Sequence, residues 1–100
     1  MIVLACGIAA AQTPATSPVK VSIANFAFGP PEITIAPGQA VSWTNDDGSA
    51  HAIAFNDGSA GSKSLLPGEQ FVRVFPQAGN FEYFCSFHNY MTGRVIVRAP

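Results

Sequence analysis

One hundred residues are enough for one domain with a modest core, and too few for an oxidase or reductase assembled from several such domains. A formal net charge of −1 and a charged fraction of 11% provide no basic face, which excludes nucleic acid as a natural partner. Aromatic residues make up 11% of the chain and eight of them are Phe, which predicts a small core packed with large rings.

The first segment, Met1 to Ala11, is apolar and small. It ends in Ala9-Ala10-Ala11, ahead of the polar run Gln12-Thr13-Pro14-Ala15-Thr16-Ser17-Pro18. The stretch is too short to span a bilayer as a helix and carries a small-residue cleavage pattern. Residues 1–11 are therefore expected to be an export signal, 12–18 a polar linker and 19–100 the folded domain, with a periplasmic or otherwise extracytoplasmic location. No basic segment precedes the apolar run, which fits a truncated signal or a different start. Cys6 offers a second reading as a lipidated anchor, but Leu4 directly before Ala5 fits a lipidation motif poorly, and cleavage is preferred.

After Pro18 the pattern is that of short strands. Val19, Val21 and Ile23 alternate with Lys20 and Ser22, then Phe26 and Phe28 fall out of phase, which predicts a bulge near Ala24-Asn25. Further period-two runs occupy Glu32 to Ile35, Val41 to Thr44, His51 to Phe55, Phe71 to Phe75, Phe81 to Phe84 and Arg94 to Val97. No run has the length and 3.6 period of a substantial helix. The sum is an all-β sandwich of about seven to eight strands. Ala36-Pro37-Gly38-Gln39 and Leu66-Pro67-Gly68-Glu69 carry the Pro and Gly that type II turns require. Asn45-Asp46-Asp47-Gly48-Ser49 reads as a turn before His51, without calcium or acid–base chemistry. Gly58 to Ser62 reads as a long flexible loop that lacks the helix and Lys of a phosphate-binding loop.

The chemistry concentrates in Cys85-Ser86-Phe87-His88-Asn89-Tyr90-Met91, which puts a thiolate, an imidazole and a thioether in one short loop. Two His and one Cys in a trigonal plane with a weak axial Met suit copper and one-electron transfer. The chain has two His, so the second imidazole is His51. Apart from Met1 and Cys6, the chain contains one Cys, one Met and two His, and all four fall in this set. Singly, each has a bland reading: a buried Cys, a gap-filling Met, a surface or satisfied core His. The conjunction Cys-x2-His-x2-Met, directly after an aromatic strand-like run, is what points to a metal. A disulfide between Cys6 and Cys85 would destroy the set and is not expected.

The segment from Gly79 to Val97 resembles the C-terminal half of a cupredoxin, a blue type 1 copper protein, of the amicyanin, pseudoazurin and plastocyanin type. Gly79-x-Phe81-x-Tyr83-Phe84-Cys85 is similar to the family's strand into the Cys, and Met91-x-Gly93-Arg94-Val95-x-Val97 to its exit strand. Val41-Ser42-Trp43-Thr44-Asn45 followed by His51 resembles the strand and loop that deliver the first imidazole. The resemblance covers nearly everything from Val19 to Arg98. It implies a Greek-key sandwich with one type 1 copper held by His51, Cys85, His88 and Met91, in a small soluble electron carrier that is not an enzyme. It further implies that the His88 ring edge is the electron port, that Phe87, Asn89 and Tyr90 surround it as a mostly apolar patch for redox protein partners, and that the chain is a monomer. Two positions depart from the pattern: Ala52, where relatives often have Asn, and Phe87, where they often have Pro. Phe87 has an N–H that Pro lacks, with two readings: it donates to the Cys85 sulfur, or it points to solvent with Phe87 simply part of the apolar patch. A copper chaperone or storage module is the main alternative, although such proteins are expected to use exposed Met-rich or multi-Cys sites. A structural zinc site normally closes with a fourth strong ligand instead of a thioether.

Overall fold

A computed structural model describes residues 17–99. The expected export signal, Cys6 and most of the expected linker lie outside these residues. Eight strands follow one another: β1 (Val19–Ala24), β2 (Ala27–Gly29), β3 (Glu32–Ile35), β4 (Ala40–Asn45), β5 (Ile53–Phe55), β6 (Gln70–Val74), β7 (Gly79–Cys85) and β8 (Thr92–Val97). They form two four-stranded sheets, ordered β2-β1-β4-β6 and β3-β8-β7-β5. Both are mixed, since β1 runs parallel to β4 and β3 parallel to β8 while the other pairs are antiparallel. The chain crosses repeatedly from one sheet to the other, giving the all-β sandwich that the strand pattern predicts, with the Greek-key connections that the family resemblance implies.

Alternation along the strands builds the core between the sheets. Val21 and Ile23 of β1, Val41 and Trp43 of β4, Tyr83 and Cys85 of β7 and Val95 and Val97 of β8 all point inward and are buried. Trp43 is the hub, with Tyr83 edge-on at 5.3 Å, Phe71 stacked at 5.6 Å and Phe55 edge-on at 6.1 Å between ring centroids. Burying each such side chain stabilises the fold by roughly 1.5–3 kcal/mol. On the edge strand β6 the phase turns Arg73 inward, where its guanidinium lies over Phe55 and Phe75 at 4.3 and 4.5 Å. An inward charge on an unpaired edge discourages pairing with another chain.

Three expectations need correction. The phase break after Ile23 is a chain reversal and not a bulge: Asn25 and Phe26 form a two-residue turn, and Ile23 pairs with Phe28 so that both face the core. The short strand β2 was hidden by that break. The run from His51 to Phe55 is a strand only from Ile53, with His51 held by an isolated bridge to Leu65. The segment around Gly58 to Ser62 is tied to β5 where a free loop was expected. Ser62 N–H donates to the Ile53 carbonyl at 2.9 Å and Ile53 N–H donates to Ser62 Oγ at 2.8 Å. The two Pro-Gly turns are as expected, with Gly38 and Gly68 at φ of 93° and 88° and the closing Gln39 to Ala36 and Glu69 to Leu66 bonds in place.

A Cβ at position 61 would overlap the Ile53 carbonyl oxygen, because Gly61 lies directly against β5. Gly61→Ala is expected to destabilise the domain by about 1–3 kcal/mol, as overpacking does, measured as a lower urea midpoint; an unchanged midpoint would show that the segment yields freely. Burial also pushes the Tyr83 phenol from 10.0 up to about 12, with the Trp43 side chain beside it opposing the shift. The neutral phenol is thus favoured in the fold, so its contribution is complete below pH 10.0 and declines as the pH rises towards 12. Stability should fall by about 2–3 kcal/mol over that range, and Tyr83→Phe should abolish this part of the decline.

Candidate metal centre

One end of the sandwich brings the polar exceptions in the core together. Cys85 ends β7, fully buried and paired with Ile53. Its N–H donates to the Met91 carbonyl at 3.0 Å, His88 N–H donates to the Cys85 carbonyl at 3.2 Å, and Met91 N–H donates to the His88 carbonyl at 2.9 Å. The loop from 85 to 91 is therefore closed by its own backbone. His51 enters from the other side of the site, fixed by mutual bonds of 3.1 and 2.7 Å between its backbone and that of Leu65. Its side chain is fully buried, Met91 is buried as well, and the His88 ring is half-exposed.

Cys85 Sγ lies 3.7 Å from His51 Nδ1 and 3.7 Å from His88 Nδ1, and the three donor atoms lie within 4.8 Å of one another. A thiol has one hydrogen and donates to one ring at most, so a purely hydrogen-bonded cluster needs the second imidazole to donate to a weakly accepting sulfur. One ion shared by the three donors accounts for the two equal separations without that asymmetry. Metal–sulfur and metal–nitrogen distances of about 2.3 and 2.05 Å place sulfur and nitrogen about 3.8 Å apart in a trigonal plane and about 3.6 Å apart in a tetrahedron. The observed separations fall between the two. A thiolate with imidazoles suits copper, zinc and iron, and a buried thioether in place of a fourth strong ligand favours copper.

The sequence left Asp47 without a role beyond the turn. In the structure its Oδ2 accepts a hydrogen bond from His51 Nε2 at 3.0 Å. A carboxylate only accepts, so Nε2 carries a ring proton, and in the neutral imidazole the Nδ1 lone pair faces the sulfur. The same oxygen accepts the Phe26 N–H at 3.0 Å, binding the β1–β2 turn to the loop that carries His51. These bonds, Phe26 first and His51 next, hold the Asp47 carboxyl below its ordinary 3.8. Their contribution is intact above 3.8 and is lost only as the pH falls through the lowered value. Asn45 braces the loop from within, fully buried and donating from Nδ2 to the Ser49 and Leu65 carbonyls at 2.8 Å each. The spacing of Asp47 four residues before His51 was the only signal in the sequence, and such a pair is not distinguishable there from turn chemistry.

The bond from Phe87 N–H to the sulfur is not formed among the described residues; the side-chain partners of Cys85 are the two imidazoles. Phe87 instead presents its ring to solvent, 54% exposed, beside His88. Two surface hollows, of about 250 and 460 Å³, are lined by Glu32, Glu82 and Arg94 and by Phe84, Asn89 and Thr92 among others, and none of the three donors lines either.

Fold and donor set together define a small domain of the copper-binding electron-transfer class. The chain matches the Cupredoxin-like domain over residues 1–97 and belongs to that family. It is 35% identical over 95 residues to amicyanin from Paracoccus versutus, covering 90% of this chain and 71% of that one. It is 36% identical over 84 residues to chloroplastic plastocyanin from Tetradesmus obliquus, covering 71% and 58% of the two chains. Among solved structures, a purple cupredoxin from Nitrosopumilus maritimus superposes with a TM-score of 0.75 at 30% identity, over 80% of this chain and 99% of that one.

If the Asp47 carboxylate sets the His51 tautomer, Asp47→Ala should weaken metal binding by about 10- to 100-fold in competition with a chelator, as loss of a ligand-orienting partner does. An unchanged affinity would mean that packing and the Leu65 bridge orient the ring unaided.

Proposed function

We propose that His51, Cys85, His88 and Met91 hold one copper ion and that the chain carries single electrons between redox proteins outside the cytoplasm. The observation that supports this most strongly is the pair of equal 3.7 Å separations from one buried sulfur to two imidazole Nδ1 atoms. Copper bound there supplies a one-electron couple. Cys85 would supply a thiolate, His51 and His88 imidazole nitrogens and Met91 a weakly donating thioether to the ion. Burial of Cys85, His51 and Met91 excludes water from the site, and the closed loop and the Asp47 bond restrain the donors against rearrangement between oxidation states.

His88 is the one half-exposed donor and serves as the electron port. Phe26, Tyr90 and Phe87 surround its ring at centroid distances of 4.9, 6.1 and 6.5 Å, and they are 38%, 69% and 54% exposed. Partners therefore dock by apolar contact here, as a monomeric carrier with a formal charge of −1 has little long-range steering to offer. An exported, periplasmic location accords with the small apolar residues 1–11, whether the signal is cleaved or Cys6 carries a lipid. A chaperone or storage role fits less well, because metal exchange requires accessible ligands and three of these four are buried.

Cys85→Ser tests the assignment. The hydroxyl fits the volume but ligates copper poorly, so the variant should fold and lose the intense visible band of the Cu(II) protein. A strong band surviving in Cys85→Ser would refute Cys85 as the ligand.

A further inference from the structure

Asn25 and Phe26 make the β1–β2 turn with φ of 53° and 56°. Asn takes this left-handed conformation readily, and two-residue hairpin turns of this kind favour Gly at the second position, where a Cβ crowds the following carbonyl. A bulky aromatic side chain there is an outlier, so local preference does not explain Phe26. Such strain persists where the surroundings over-determine it.

The surroundings of Phe26 do so from both sides. Its N–H is held by the Asp47 oxygen that also accepts from His51. Its ring stands edge-on to His51, with centroids 5.2 Å apart and planes at 80°, and edge-on to His88 at 4.9 Å and 87°. One side chain thus touches both imidazoles, which arrive from segments far apart in the chain. His51 has further restraints in Asp47 and Leu65. The half-exposed His88 ring has Phe87 and Tyr90 at 6.5 and 6.1 Å, both from its own loop, so Phe26 is its nearest aromatic support and comes from outside that loop.

We propose that Phe26 is a positioning residue of the metal site, standing edge-on to His51 and His88 at once and holding each Nδ1 at its 3.7 Å separation from the Cys85 sulfur. The strained turn is the means by which the fold delivers the ring. Gly at this position would relax the backbone and remove the lateral support of His88. The role presupposes the copper assignment above.

Phe26→Gly, Phe26→Ala and Phe26→Tyr separate strain from positioning. Urea unfolding of the metal-free protein reads the strain: Gly and Ala both lack the ring and only Gly relaxes φ, so the Gly variant should unfold at higher urea than the Ala variant. Cu(I) affinity, measured against a chromophoric Cu(I) chelator, reads the positioning. Gly and Ala should each bind about tenfold more weakly than the unsubstituted chain, and Tyr should restore the affinity. Wild-type affinity in the Gly variant overturns the proposal whatever its stability, and so does an equal loss in the Tyr variant. Visible spectra of the unsubstituted Cu(II) protein distinguish the two possible failures. Absence of a thiolate band there refutes the metal assignment itself, whereas a band with unchanged affinities in all three variants refutes only the role of Phe26.

Discussion

This end of the sandwich depends on one buried sulfur shared by two imidazole nitrogens at 3.7 Å each, a costly thing to assemble in a protein interior because sulfur is only a weak hydrogen-bond partner for either ring. Everything else at this end of the sandwich serves to hold them there. The aromatic core around Trp43 makes the two sheets one rigid body, and pairing of β7 with both β5 and β8 fixes the end of β7 where Cys85 sits. The Cys85 to Met91 loop then closes on itself through three backbone bonds, so the second half of the donor set follows from the placement of the first.

The two sheets contribute differently. The sheet containing β7 supplies Cys85 and launches the loop with His88 and Met91. The other sheet supplies the β4–β5 connection and the β1–β2 turn, which carry His51, Asp47 and Phe26. Asp47 joins these last two elements through a single oxygen, and Phe26 reaches across to His88. Coupling between the halves of the site is thus made by side chains near the surface as well as by the core beneath. A site braced in this way changes little when its charge changes, which is what rapid electron transfer asks of a protein.

Much of this was legible in the sequence because it rests on periodicity or on rare residues. Seven of the eight strands follow from alternation, β5 over a shorter span than the pattern suggests, and the donor set follows from the presence of so few His, Cys and Met residues. What was not legible depends on the third dimension. The out-of-phase Phe26 was visible as an anomaly, yet a bulge and a tight reversal both shift the phase, and Phe is an unlikely residue for the reversal. Asp47 looks like any turn aspartate until His51 is seen beside it. Gly61 looks like part of a flexible loop because the carbonyl that demands a glycine there belongs to β5, eight residues earlier in the chain. A Phe87 N–H bond to the sulfur is chemically reasonable from the sequence, yet it is absent among the described residues, where the side-chain partners of Cys85 are the two imidazoles.

The central claim is that the protein imposes one coordination geometry on copper in both oxidation states. X-ray absorption spectroscopy of the copper-loaded domain, oxidised and then fully reduced, tests it most directly. The account predicts a first shell of one short sulfur and two nitrogens in each state, with distances that hardly change on reduction. Loss of a nitrogen on reduction, or a first shell dominated by oxygen in the oxidised protein, would contradict it.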